Sequence, residues 1–128
     1  MHVVAAVLAS LAALLHVFIW WLESFQWTGR ARAVFGTSRE EAEATRELAY
    51  NQGYYNLFLA LITVAGVIPL ATGHRPVGVA LTAAGTLSMA GAAVVLVAGS
   101  RSRAGAALRQ GVLPALAALF LLIACLTS

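Results

Sequence analysis

Four apolar stretches, each long enough to cross a bilayer, constrain this chain more than any other feature. A hydrocarbon core of about 30 Å needs roughly 20 apolar residues in an α-helix. The 128-residue sequence supplies them at residues 3–27, 51–71, 77–98 and 111–126, and 10% of its residues are charged, against about 25% in soluble domains. We therefore predict an all-α integral membrane protein: one transmembrane domain of residues 1–128, folded as an antiparallel up-down four-helix bundle.

The connections between these stretches contain recognisable helix signals. Ser38 followed by Glu41 fits a capping box, in which the serine caps a helix and the glutamate lies three residues further on. This pattern predicts a helical cytoplasmic loop over about residues 38–50 that enters the membrane near Asn51. The last stretch begins near Gly111, so Pro114 is expected in the first turn of its helix, where proline is tolerated.

The basic residues predict how the chain is oriented. All eight are arginines; four lie in the first connection and three in the third, while the second has only Arg75. Because cytoplasmic loops are enriched in basic residues, we expect the first and third connections in the cytoplasm and both termini outside, in a bacterial inner membrane. No arginine precedes Arg30, so we expect the first stretch to be a retained helix and not a signal peptide. Arginines confined to short loops indicate no nucleic-acid partner.

The sequence indicates neither a metal site nor a cofactor. His16 and Glu23 lie seven residues apart and fall short of the three or four ligands that zinc takes. Phosphate-binding glycine loops and haem-binding histidine pairs are both missing from the pattern. The single cysteine, Cys125, allows no internal disulfide.

Polar residues of the first stretch share one helical face. His16, Trp20, Glu23 and Trp27 follow one another at steps of four, three and four residues, which places them on the same side of an α-helix. An ionisable side chain at the membrane centre costs about 2.5–3.5 kcal/mol on insertion scales, so such groups normally face the bundle interior. We predict that this face is buried and that His16 and Glu23 are a candidate catalytic acid–base pair.

The second stretch offers partners for this face. Gln52 and Asn56 lie four residues apart on one stripe, and Asn51 and Tyr55 lie four apart on the next. Antiparallel packing would bring Glu23 close to Gln52, Asn56 or Tyr55, with His16 deeper, near Thr63. The candidate ligand-binding residues are therefore Trp20, Trp27, Asn51, Gln52, Tyr55, Asn56 and, from the start of the fourth stretch, Gln110.

Three functions fit this pattern. In the first, the polar groups form an intramembrane pocket that binds or transforms a small lipophilic molecule, and the sequence does not decide whether that makes the protein an enzyme. In the second, they only hydrogen-bond the helices together, a structural or assembly role. In the third, a small proton-coupled transporter, four short helices would require a homo-oligomer. Membrane lipids are expected partners in every case.

The same residues resemble those of a known family. The pattern combines His16-x6-Glu23-x3-Trp27, Phe35-Gly36, Asn51-Gln52-Gly53-x-Tyr55-Asn56 and Gln110-Gly111-x-x-Pro114-Ala115. It resembles the small bacterial integral-membrane family labelled domain of unknown function 1304 over nearly the whole chain. The third stretch departs from the family pattern. It has Gly91-Ala92-Ala93 where the family has a glycine–tyrosine–glycine pattern. The resemblance implies a four-helix inner-membrane protein and little about activity; its polar signature coincides with His16, Glu23, Asn51, Gln52, Tyr55 and Asn56.

Overall fold

Four long helices account for most of the molecule. The computed structural model describes residues 1–128. The long helices are α1 (His2–Phe25), α3 (Arg39–Ala71), α4 (Arg75–Gly99) and α5 (Ala104–Leu126); α2 (Ala31–Phe35) and a 3-10 turn at Arg101–Arg103 are short. All four long helices are long and apolar enough to cross a membrane. The predicted all-α bundle of four apolar helices is confirmed.

The long helices form an antiparallel ring. α1 packs against α3 and α5, α4 packs against the same two helices, and α1 and α4 scarcely touch across the diagonal. Short connections force each long helix to run opposite to its predecessor. As a result, the C-terminal end of α1 lies beside the N-terminal half of α3, at the end of the bundle that also carries α2.

The seam between α1 and α3 is built on small residues at alternating steps of three and four. On α1 the buried positions include Ala5, Ala9, Ala12, His16, Ile19 and Glu23, and on α3 they include Ala49, Gly53, Asn56, Ala60 and Thr63. This spacing produces the near-parallel packing of coiled coils and four-helix bundles. Small side chains also let membrane helices approach closely. His16, Glu23 and Asn56 therefore occupy seam positions that alanine or glycine fills elsewhere.

The predicted helix start at Ser38 is confirmed, with one change. The Ser38 hydroxyl accepts a hydrogen bond from the Glu41 main-chain nitrogen at 3.1 Å, as an N-cap should. The Glu41 carboxyl, however, accepts from Arg103 at 3.1 Å. The preceding connection reverses at Gly36, whose φ of 67° is in the left-handed region that favours glycine.

Two arginines near the start of α5 form hydrogen bonds with the connection between α1 and α3. Arg103 donates to the Phe35 carbonyl at 2.9 Å as well as to Glu41, and Arg109 donates to the Val34 carbonyl at 3.2 Å. These contacts join the segment between α1 and α3 to the start of α5. In the sequence these arginines indicated only the orientation of the chain. In the structure they also bond the first connection to the third connection and the start of α5.

The expected position of Pro114 in its helix was wrong. α5 begins at Ala104, well before the predicted span, so Pro114 lies inside the helix and not in its first turn. Because proline has no N–H, the Gln110 carbonyl loses its usual intrahelical donor there. On α4, Thr86 bonds the Thr82 carbonyl at 2.8 Å, as such threonines commonly do, whereas the buried hydroxyl of Thr82 has no partner.

Candidate functional site

The centre of the site is a contact between Glu23 and Asn56. The Asn56 amide nitrogen donates to the Glu23 carboxyl oxygen Oε1 at 2.5 Å. Both side chains are buried, at 8% and 5% exposure. Of the three partners that the sequence offered for Glu23, the structure selects Asn56. The other carboxyl oxygen makes no hydrogen bond with the protein, so the carboxyl retains bonding capacity.

His16 lies on the same face of α1 but does not touch Glu23. Their separation of seven positions corresponds to about 10 Å along the helix. His16 is 1% exposed, and its Nδ1 bonds the Ala12 carbonyl of its own helix at 2.9 Å. No protein group bonds the second ring nitrogen. The proposed acid–base pair is therefore two separate buried groups with no direct hydrogen bond for proton exchange.

Gly53 allows α1 to approach α3 closely beside this contact. A Cβ atom at Gly53 would lie 3.0 Å from the Trp20 carbonyl oxygen and 3.1 Å from the Ser24 nitrogen, and it would collide with the Ser24 hydroxyl. That hydroxyl donates to the Tyr50 carbonyl at 3.0 Å. Gly53 therefore leaves the space into which the α1 backbone fits.

Aromatic rings cover the outer side of the same helix pair. Trp20 packs edge-on against Tyr54 at 5.8 Å and against Phe25 at 5.6 Å, measured between ring centroids. Tyr50 packs at a tilt against Tyr54, with 5.2 Å between the ring centroids. The Trp20 indole nitrogen is buried and has no hydrogen-bond partner. This aromatic cluster lies next to the Glu23–Asn56 contact along α1 and α3.

The structure does not bring the other candidate residues to this contact. Trp27 instead donates to the Thr45 hydroxyl at 3.0 Å and packs on Phe35, with 5.5 Å between ring centroids. Asn51, Gln52 and Tyr55 are exposed, and none of their side chains bonds Glu23. Gln110 lies on another side of α1, between α1, α2 and α5. Of the candidate residues, Glu23, Asn56, His16 and Trp20 are the ones that lie together along the buried side of α1 and α3.

Thr63, which the sequence sets near His16, is also buried, deeper along α3. The Thr63 hydroxyl bonds the Leu59 carbonyl at 2.8 Å. Its side chain packs where Gly85 of α4 leaves room, and any Cβ at Gly85 would collide with it. Thr63 thus serves the α3–α4 packing and makes no hydrogen bond with His16.

Surface pockets do not coincide with the buried polar groups. The five principal pockets are lined by other residues, and His16, Glu23 and Asn56 line none of them.

Sequence reasoning missed Ser24 and the arginines of the third connection. Ser24 follows Glu23 directly and faces Gly53, so a pairing of small residues between adjacent helices could have found it. Arg103 and Arg109 bond groups more than sixty positions away in the sequence. No local pattern identifies such partners.

These features define a small helical membrane protein with one carboxyl–amide contact buried between its first two long helices. The chain belongs to the family described as protein of unknown function DUF1304, whose model matches residues 10–122. The resemblance in the polar pattern is thereby confirmed. No curated protein and no solved structure matches the chain.

Proposed function

We propose that this protein is a multi-pass protein of the bacterial inner membrane that binds a small lipophilic molecule through Glu23, Asn56 and His16. Both termini would lie outside the cytoplasm, because seven of the eight arginines flank the opposite end of the bundle. The ligand class is a lipophile with a hydroxyl or amine group, which can donate to a carboxyl.

The observation that carries this proposal is unused hydrogen-bonding capacity at buried ionisable groups. Glu23 has one bonded carboxyl oxygen and His16 one bonded ring nitrogen. Ionisable residues inside membrane helices are costly and usually serve a function. A polar group of a ligand could bond the free carboxyl oxygen while Asn56 keeps its own bond.

The aromatic cluster supports a route from the lipid. Trp20 and Tyr54 flank the seam from opposite helices at the level of the contact. Flat apolar walls with few polar groups are typical of sites for small hydrophobic ligands. Separation of these two rings would expose Glu23 and the unpartnered Trp20 nitrogen together.

A structural role is the second candidate, and the Glu23–Asn56 hydrogen bond itself favours it. Measured hydrogen bonds between membrane helices contribute about 0.6–2 kcal/mol. If this bond only joins α1 to α3, its loss should lower stability without changing any bound molecule.

The two candidates can be separated by analysing what co-purifies with the protein. Wild type, Glu23→Gln, His16→Ala and Asn56→Leu would be purified in mild detergent, and bound small molecules would be extracted and quantified by mass spectrometry. Thr86→Val is the matched control, since it removes one buried hydrogen bond on α4, away from the site. Size-exclusion profiles and thermal unfolding would verify that each variant is folded.

Ligand binding predicts that Glu23→Gln and His16→Ala lower the bound fraction about tenfold, since each variant removes an ionisable group that the ligand would contact and about 1.4 kcal/mol of binding free energy corresponds to that factor. Thr86→Val should retain the wild-type amount. If every folded variant carries the same molecules in the same amount, the binding proposal is wrong. In that case, a lower unfolding temperature for Asn56→Leu alone would favour the structural role.

A further inference from the structure

A second cleft lies on a neighbouring face of α1, between that helix, α2 and α5. It has a volume of about 230 Å³ and opens at the arginine-rich end of the bundle. Its walls are mostly apolar and come from Leu15, Phe18, Ile19, Leu22, Val34 and Phe35. From Leu15 to Leu22 the cleft follows α1 for about 10 Å.

Two polar side chains, both from α5, lie at the wall of this cleft. Arg109 donates one N–H to the Val34 carbonyl at 3.2 Å and makes no ion pair. Gln110, its neighbour, makes no side-chain hydrogen bond in the structure. A guanidinium has five N–H donors, so most of the donors at this point remain free for an anion.

The surrounding charge also favours an anion. Arg30 and Arg32 lie in the segment that leads into and forms α2, and Arg101 lies in the turn before α5. All five glutamates lie toward this same end of the bundle, Glu23 in the α1–α3 seam and four in the first half of α3, against seven of the eight arginines; of these glutamates, Glu41 is paired with Arg103. The end of the bundle at which the cleft opens therefore carries an excess of positive charge.

We propose that this cleft binds an anionic phospholipid, with one acyl chain along α1 and the phosphate on Arg109 and Gln110. The cleft is complementary to both parts of such a lipid. Its apolar walls can pack against the acyl chain, and the free N–H groups can donate hydrogen bonds to the phosphate. Arginine is well suited to planar, bidentate contact with phosphate oxygens. The inference is independent of the Glu23 site, which faces α3 and not α5.

Native mass spectrometry with defined lipids tests this assignment. The protein would be titrated with phosphatidylglycerol and with phosphatidylcholine of identical chains. Three variants would be compared: Arg109→Gln; Arg101→Gln, which removes the same charge from the same connection but has no contact with the cleft; and Val34→Trp, which fills the cleft from α2. We expect wild type and Arg101→Gln to prefer phosphatidylglycerol, and Arg109→Gln to weaken its binding about fivefold or more.

Val34→Trp keeps every charge and should also abolish the preference for phosphatidylglycerol over phosphatidylcholine. It therefore tests the cleft even if Arg109→Gln fails to fold. Equal binding of the two lipids by wild type would overturn the proposal. An equal loss in Arg101→Gln and Arg109→Gln would overturn it as well, since that result means general charge attraction. Displacement of phosphatidylglycerol by free palmitate would reassign the cleft to a fatty acid and contradict a phospholipid site.

Discussion

At the scale of single residues, Gly53 decides how closely the first two long helices meet. It lies three residues before Asn56 on the buried seam of α3. Its lack of a side chain lets the α1 backbone at Trp20 and Ser24 approach. The short side chain of Asn56 can reach Glu23 because the helix axes are this close.

We predict that Gly53→Ala destabilises the protein although alanine is the better helix former. The added methyl must displace α1, and overpacking of this kind typically costs about 1–3 kcal/mol. Gly91→Ala is the matched control, because Gly91 is exposed and an added methyl group there would meet no neighbouring atom within 4 Å. At that position alanine should gain up to about 1 kcal/mol. Thermal unfolding in detergent measures the stability of both variants. If Gly53→Ala and Gly91→Ala change the stability equally and in the same direction, the close approach at Gly53 is contradicted.

The sequence predicted part of the site and could not predict the rest. Glu23 and Asn56 were both candidates, since intramembrane polar groups avoid lipid. Asn51 and Tyr55 were also candidates, but they point more than a quarter-turn away from the seam. Polar residues near a membrane boundary can face water, so their positions alone do not define helix rotation. The small residues Ala49, Gly53 and Ala60 mark the seam more reliably.

At the scale of helices and connections, Arg103 links three parts of the chain. It precedes α5, bonds the carbonyl that ends α2 and pairs with Glu41 in the first turn of α3. The conformation of the first connection thus depends on Arg103, which lies far from it in the sequence. The sequence could predict the turn at Gly36 and the cap at Ser38 because both are local, whereas this link depends on the complete bundle.

We predict that Arg103→Gln loosens the connection around α2 and leaves the long helices intact. Loss of two hydrogen bonds to a charged group should speed amide exchange in the segment 35–42 about tenfold or more. Hydrogen–deuterium exchange with mass spectrometry provides the measurement. Arg101→Gln removes an adjacent arginine that makes no hydrogen bond or ion pair and should leave this segment unchanged. Similar exchange in both variants would argue against the link.

At the scale of the whole molecule, the ring arrangement follows from the number and spacing of apolar stretches. Four spans with short connections give antiparallel neighbours, and this part of the fold was readable from the sequence. The lengths of the helices were less readable. The start of α3 at Arg39 follows from the cap at Ser38, but α5 begins at Ala104, before its apolar stretch, because helices continue through polar sequence where no residue breaks them.

We predict that both termini and the α3–α4 turn lie outside the cytoplasm. In a Cys125→Ser background, Thr72→Cys should react with a membrane-impermeant maleimide in intact cells. Thr28→Cys and Ser102→Cys, which are exposed in the first and third connections, should react only after the cells are opened. The physical reason is the arginine excess in those two connections. The reverse labelling pattern would show the opposite orientation.

The unbroken course of α3 has a mechanical consequence. Its 33 residues span about 50 Å, against roughly 30 Å for a bilayer core. No proline occurs between Arg39 and Ile68, so the projecting turns and the turn that carries Asn56 belong to one stiff rod. Torque applied at the projecting end would turn Asn56 against Glu23 without any intervening hinge.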